Sequence, residues 1–303
     1  MNQFEDMQTF VRIVEAGSIT KAAEQLDTVK SAVSRRLSEL EKRLGVTLLT
    51  RTTRSQTLTE SGRSYYQQSI RIIEDLAEIE SSIKDQHYAL SGNIRVSAPF
   101  SFGIKHLAPA LRQFNDQHPD IKFDLDFNDR KVDLIEEGYD VAIRIAKLSD
   151  SNLIARRLTQ VRPVLCASPS YLQRYGEPRS VDDLLTQGHV RLRYSLVPDS
   201  WQLVAKDGKE VSIKIPVILS ANNGDYLCDE AIAGRGLLFT PDFICYDAIN
   251  AGLLKPLLCD QVQGKSIDAY AVYPQTRHLS QRLRRLIDFL VSYFGDEPYW
   301  HLD

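Results

Sequence analysis

Between residues 30 and 62 an amphipathic helix pattern runs directly into a short basic hairpin pattern, and few folds accommodate that order. Val33, Leu37, Leu40 and Leu44 fall at i, i+4, i+7 and i+11, the inner face of a helix over 30–44. The opposite face carries Lys30, Ser31, Ser34, Arg35, Ser38 and Lys42, and Gly45 supplies a stop. Upstream, Met7, Phe10, Val11 and Val14 share one face of a helix over 6–16. Ser18 is placed to cap a short second helix over 18–26, whose Ala22 and Ala23 are small enough for a third helix to cross closely. Two crossed helices joined by the tight turn 27–29, the second polar and basic at its start, describe a helix-turn-helix. An ordinary amphipathic helix with a solvated basic face has the same periodicity, so the downstream residues decide. A short apolar strand over 46–49, a basic turn over 51–55 and a return strand over 56–58 form a wing. Its tip offers Arg51 and Arg54 to a phosphate backbone or a minor groove.

The charge distribution agrees. Net charge is −3, which alone disfavours a nucleic-acid partner. Residues 28–63, however, hold eight basic and three acidic side chains, whereas residues 64–303 hold 27 basic and 32 acidic ones. A basic head on an acidic body is the electrostatic footprint of a DNA-binding module attached to a separate sensor.

The run Ala22 to Gly62 resembles the signature of the LysR-type transcriptional regulators. The matching elements are Ala22-Ala23, Leu26, Ser34, Leu40-Glu41, Leu44-Gly45, Arg51 and Leu58-Thr59 with Gly62. Two positions depart from the family pattern: Val29 stands where a capping serine is usual, leaving Thr28 as the alternative cap, and Lys30 stands where glutamine is common. Lys30 and the Arg35-Arg36 pair resemble the family's CrgA-like branch. The resemblance implies that Thr28, Lys30, Ser31, Ser34, Arg35, Ser38, Arg51 and Arg54 meet promoter DNA. It also implies a fold of three parts: a winged helix-turn-helix, a long linker helix, and a two-lobed α/β effector domain similar to periplasmic binding proteins.

Residues 59–90 contain no proline, and no glycine after Gly62. Tyr65, Ile72 and Ile79 repeat every seven residues, as do Leu76, Ile83 and Leu90. A seam this long is expected to meet a second chain, in a homodimer or homotetramer, rather than its own body. Ser91-Gly92-Asn93 breaks it. The expected domains are 1–62, 63–91 and 92–303.

Beyond residue 93 apolar strand patterns alternate with helical ones, which points to an α/β body with parallel sheets. One strand is expected over 211–219 and a final helix over 279–294. The chain is expected to cross between two lobes near 163–167 and again near 270–274. That makes one lobe of 93–163 with 267–303 and another of 164–266.

Ligands in such sheets bind beyond strand C-termini and at helix N-termini. The candidates for a small-molecule effector are therefore Ser97, Phe100, Ser101, Phe102, Asn128, Arg144, Asn222, Asn223, Phe239 and Thr240. Two helix starts, near Ser101 and Asn223, favour an anion. For Ser101 and Asn222 a simple cap is an equal alternative.

Enzymes and solute carriers are the rival classes. The sequence contains no G-x-S-x-G, P-loop, H-E-x-x-H or dinucleotide glycine pattern. Cys166, Cys228, Cys245 and Cys259 form no C-x-x-C and have no histidine cluster beside them, so no metal, no cofactor and buried reduced thiols are expected. Glu5 and Asp6 near the start are unlike a secretory leader, and no apolar run approaches the ~20 residues of a membrane span. The expectation is a cytoplasmic protein without a membrane partner.

Overall fold

The computed structural model describes residues 2–51, 56–84, 90–146, 153–197, 199–205, 210–259, 262–264, 267–275 and 279–302. They form two compact units, Met1–Gly92 and Asn93–Asp303.

The first unit opens with α1 (Gln3–Ala16), three residues earlier than the apolar pattern suggested because the Asn2 side chain accepts the Phe4 N–H and caps it. Its core face is shifted from the one read in the sequence: Phe10, Val11 and Ile13 are buried, while Met7 and Val14 are half-buried. Helix α2 (Ile19–Gln25) is capped by Ser18, whose hydroxyl accepts the Lys21 N–H. Helix α3 (Lys30–Leu44) buries Val33, Leu37 and Leu40 against Phe10, Ile13, Ala22 and Ala23. Leu44 is exposed, because Gly45 turns left-handed (φ 71°) immediately after it. Val29 occupies the cap position of α3 and no side chain caps the helix there, so Thr28 does not take that role.

The wing is the antiparallel pair β1 (Leu49–Arg51) and β2 (Gln56–Leu58), with Leu49 opposite Leu58. Val46 is exposed and lies outside the strand. Helix α4 (Glu60–Lys84) follows. Tyr65 packs its ring 5.5 Å from that of Phe10, so this member of the heptad series serves the head's own core. Ile72 is exposed and Leu76 half-buried, whereas the side chains of Ile79 and Ile83 lie outside the described residues. Leu90 is buried but follows the helix, not within it.

The second unit contains two five-stranded mixed sheets. The first has the order β4-β3-β5-β15-β6, from β3 (Gly92–Ala98), β4 (Ile121–Phe127), β5 (Val141–Ile145), β6 (Leu153–Val161) and β15 (Ile267–Pro274). Between β3 and β4 lie the short helix α5 (Phe100–Phe102), a π-turn over Gly103–Leu107 and α6 (Ala108–Gln117). The second sheet has the order β11-β8-β12-β7-β13, from β7 (Pro163–Ala167), β8 (Arg191–Tyr194), β11 (Val217–Ala221), β12 (Leu237–Pro241) and β13 (Lys255–Pro256). Helices α7 (Pro169–Tyr175), α8 (Val181–Thr186), α9 (Gly224–Ile232) and α10 (Asp242–Asn250) belong to this lobe, and α11 (Gln281–Phe294) packs on the first.

Three sequence expectations are corrected. The sheets are mixed: β3 and β5 run parallel, but β15 pairs antiparallel with β5 and β6, and β12 antiparallel with β7. The first lobe crossing falls at Arg162, between β6 and β7, and β15 lies wholly in the first sheet, so the return precedes Ile267 and not 270–274. The stretch 211–219 is two strands, not one. Pro216 lacks an N–H and ends β10 (Glu210–Ile213) as a ladder partner. Strand β10 then joins β9 (Trp201–Ala205) and β14 (Val262–Gly264) in a three-stranded sheet that the apolar pattern did not reveal.

Candidate functional site

In the head, α3 presents Lys30, Ser31, Arg35 and Ser38 to solvent, with Ser34 half-exposed and Thr28 exposed just before the helix. The other arginine of the pair is used internally: Arg36 Nη1 lies 2.6 Å from Glu5 Oε2 and 3.9 Å from Asp6 Oδ1, the latter on a carboxylate that is 3% exposed. Arg35 is thus the member of the pair that faces outward. Arg54 and the side chain of Arg51 lie outside the described residues.

Three features lock α3 to the wing. Glu41 Oε1 accepts the Leu48 N–H at 2.7 Å and the Leu49 N–H at 3.2 Å, which fixes the start of β1. Thr59 Oγ1 donates to Thr47 O at 2.7 Å and accepts the Gly62 N–H at 2.9 Å. A Cβ on Gly62 would stand 1.9 Å from Leu48 O, so only glycine fits where α4 crosses the strand. The Leu-Glu and Leu-Thr-x-x-Gly elements of the sequence are therefore a framework that orients the polar face of α3 relative to the wing.

In the body, Ser97 and Ser101 are buried, and Ser97 Oγ has no hydrogen-bond partner among the described residues. The two helix starts do meet across the lobes: a Cβ on Gly224 would stand 3.6 Å from Ser101 Oγ. Lys105 Nζ reaches across at 2.7 Å to Asp225 Oδ1, in the first turn of α9. Asn223 Oδ1 caps α9 by accepting the Tyr226 N–H at 2.8 Å, and Asn222 is exposed beside it. Thr240 is buried in β12, and Phe239 packs on Trp201 within the second lobe's core, ring centroids 5.6 Å apart. Phe100 is 40% exposed at the rim.

Three candidates take other roles. Phe102 is completely buried among Phe243, Phe294, Trp300 and His106, so it is core and not a pocket wall. Arg144 donates to Arg130 O and Val132 O, and its charge staples the loop after β4. Asn128 accepts the Arg130 N–H and donates to Asp126, shaping the same turn.

Residues that periodicity did not single out complete the crevice. Asp129 Oδ1 accepts the Phe100 N–H at 3.1 Å, so a resident carboxylate already sits at the start of α5. The half-buried phenol of Tyr194, in the other lobe, interacts with the same carboxylate, and burial with that negative charge raises its pKa. Only tertiary folding brings Asp129 there.

Behind the crevice, His106 Nε2 donates to Phe243 O (3.0 Å) and Nδ1 of the neutral ring accepts from Tyr299 OH (2.6 Å); burial pushes the pKa down to about 4. Asp242 is 1% exposed at the head of α10, and desolvation pushes its carboxyl up to about 7. His301 Nε2 lies 3.7 Å from Asp242 Oδ2, with its own pKa lowered by burial. The raised Asp242 value sets a sign. The folded state holds a proton that the unfolded carboxyl releases above pH ~4, so the Asp242 contribution is present at pH ~4 and lost as pH rises towards 7. The amount is up to about 4 kcal/mol. His106 has the opposite slope, because its depressed pKa favours the fold more as pH rises from 4 to about 6.5. Urea unfolding of Asp242→Asn and the unaltered protein across pH 4–7 isolates the carboxyl. Their stability difference should change with pH in favour of the variant, and a constant difference would refute the raised pKa.

The described cysteines are Cys166, Cys228 and Cys245, all buried, and Cys259, which is exposed and so departs from the expectation of burial. No described helix is long and apolar enough to cross a membrane.

Comparison with known proteins converges on one family. A model described as "Bacterial regulatory helix-turn-helix protein, lysR family" matches residues 4–63, and one described as "LysR substrate binding domain" matches residues 88–295. The chain is 38% identical over 293 residues to an HTH-type transcriptional regulator of Xanthomonas campestris pv. campestris (strain 8004), covering 95% of this chain and 84% of that one. It is 36% identical over 295 residues to the HTH-type transcriptional regulator CrgA of Neisseria meningitidis serogroup C (strain 8013), covering 96% and 97%. Among solved structures, that of Neisseria meningitidis CrgA is similar with a TM-score of 0.63 at 35% identity, over 96% of this chain and 99% of that one. The full-length Vibrio cholerae activator AphB gives 0.60 at 29% identity, over 97% and 99%. The chain belongs to the LysR family and is a DNA-binding transcriptional regulator with an effector-binding domain, not an enzyme.

Proposed function

We propose that the protein acts in the cytoplasm as a homodimer or homotetramer that reads promoter DNA with α3 and the wing and responds to a small-molecule effector held between two lobes. The domains in this reading are a head over 1–62, a connector over 63–91 and a body over 92–303, with lobes 93–163 plus 267–303 and 164–266. The observation that carries it is the outward polar face of α3, with Lys30, Ser31, Ser34, Arg35 and Ser38 on one side and the Glu41 and Gly62 framework on the other. Short hydroxyl side chains let a helix approach the groove floor, and arginine grips guanine edges. Arg35→Ala should cost ~1–3 kcal/mol at the operator and relax sequence preference, whereas Arg54→Ala should weaken all DNA alike and lessen the salt slope. A salt titration on the DNA upstream of the protein's own gene that shows neither change would sink the assignment. Along α4, Ile72, Leu76, Ile79 and Ile83 are the proposed seam between chains, with Tyr65 kept by the head's own core.

For the effector, Ser97, Ser101 and Thr240 supply hydroxyls, Asn222 and Asn223 the second helix start, and Phe100 apolar surface. An anion is the preferred class, since α6 is reached through α5 and α9 starts opposite it. Its acid group would take the Phe100 N–H now held by Asp129 and release the Tyr194 contact, which couples binding to lobe movement. In a thermal-shift screen of organic acids, a hit should lose most of its effect in Ser101→Ala; an equal shift in both proteins would place the ligand elsewhere.

A further inference from the structure

The second lobe carries a basic notch where β8 meets the edge strand β11 of its five-stranded sheet. The alternation Arg191-Leu192-Arg193 in β8 puts both arginines on one sheet face, opposite the core leucine. Arg191 is 1% exposed, an expensive location for a guanidinium. Its Nε donates to Ile215 O at 2.9 Å and its Nη2 to Asp199 O and Oδ1, both at 2.7 Å, while the Trp201 ring lies 5.6 Å from its centre. Arg193 Nε stands 3.7 Å from Asp199 Oδ1, and Lys214 Nζ 2.7 Å from Asp199 Oδ2.

Among the described residues, three cations thus converge on one carboxylate. Asp199 is held below its usual pKa first by its hydrogen bond from Lys214, so it is fully charged at neutral pH and still leaves the group with a surplus of two positive charges. Among the described residues, Arg193 Nη2 donates to Val197 O at 3.1 Å, and Arg193 and Lys214, with Arg191 buried behind them, line the notch itself. A structural ion pair would need one arginine and one aspartate. The second arginine and the lysine are surplus to that need.

The notch also has room. Arg193, Asp199, Lys214, Ile215, Pro216 and Val217 line an open, shallow hollow of about 480 Å³. Ile215-Pro216-Val217 gives it an apolar side, and Val217 is 39% exposed.

We propose that this notch is a second ligand site, which takes a small doubly charged oxyanion carrying an apolar group, with a phosphate monoester as the best match. A guanidinium presents parallel donors to a phosphate's oxygens, and Lys214, whose side chain is 74% exposed, swings onto the ligand as a mobile point charge. Two ligand charges balance the surplus left by Asp199. The site stands on residues apart from Ser101, Asp129 and Asn223, and does not depend on the effector reading.

The test is titration calorimetry on the full chain with inorganic phosphate, phenyl phosphate and succinate at fixed ionic strength. Phenyl phosphate should saturate at or below the order of 1 mM and bind tighter than inorganic phosphate because of the apolar side. Lys214→Ala and Arg193→Ala should each weaken it about tenfold, and Asp199→Asn should strengthen it several-fold by removing the competing charge. The Lys214 change, on an exposed side chain, should leave the melting temperature and operator binding unaltered, which separates loss of the site from loss of the fold. Tighter binding of succinate than of both phosphates would overturn the phosphate assignment. Failure of all three to saturate, or equal affinity in the unaltered protein and Lys214→Ala, would overturn the site.

Discussion

Gly62→Ala is expected to uncouple the wing from the recognition helix. Its Cβ would meet Leu48 O at 1.9 Å and Leu48 C at 2.8 Å, both backbone atoms that no side-chain rotation can clear. Relief requires α4 to move away from the strand, which breaks the bonds that Thr59 Oγ1 donates to Thr47 O and Leu48 O. Overpacking of this kind costs ~1–3 kcal/mol and more where backbone is involved, and a small head has little stability to lose. Limited proteolysis should show the head cleaved first in the variant, and gel shift should show operator affinity lost. A variant that resists protease and binds DNA as before would contradict the close approach.

Phe102→Ala should give the largest loss of stability in the body, about 3–5 kcal/mol. The ring is fully enclosed and meets Phe243, Phe294 and Trp300 with centroids 5.3, 5.4 and 5.8 Å away. Those partners come from α10, α11 and the C-terminal tail, so one deletion loosens the contact between the lobes as well as the core. Urea unfolding distinguishes this from a pocket role. A wall residue would change ligand affinity with little effect on stability; a core residue does the reverse.

The head was readable because its determinants are local. Ser18, Gly45 and the i, i+4, i+7 series of α3 act within a few residues of themselves, and the ends of that helix fall where the pattern puts them. Leu44 escaped the pattern because the glycine cap turns the chain before its side chain reaches the core. The body was readable as strands and helices but not as a site. Phe100 and Phe102 look alike in sequence, yet one is at the rim and the other at the centre of an aromatic cluster drawn from residues 140 to 200 positions later. Asp129 reaches the Phe100 N–H only because β4 returns beside β3, and no spacing rule encodes that. Pro216 does carry a local signal: a proline inside an apolar run marks the place where one strand becomes two.

The most direct test of the account is a footprint on the DNA upstream of the protein's own gene, with unrelated DNA of equal length as competitor. A two-fold symmetric site should be protected, its half-sites separated by whole helical turns as two recognition helices require, with affinity falling steeply as salt rises. Arg35→Ala should abolish the contrast between that site and the competitor. Equal affinity for both DNAs in the unaltered protein, or undiminished contrast in Arg35→Ala, would contradict the assignment of α3 as the element that reads sequence.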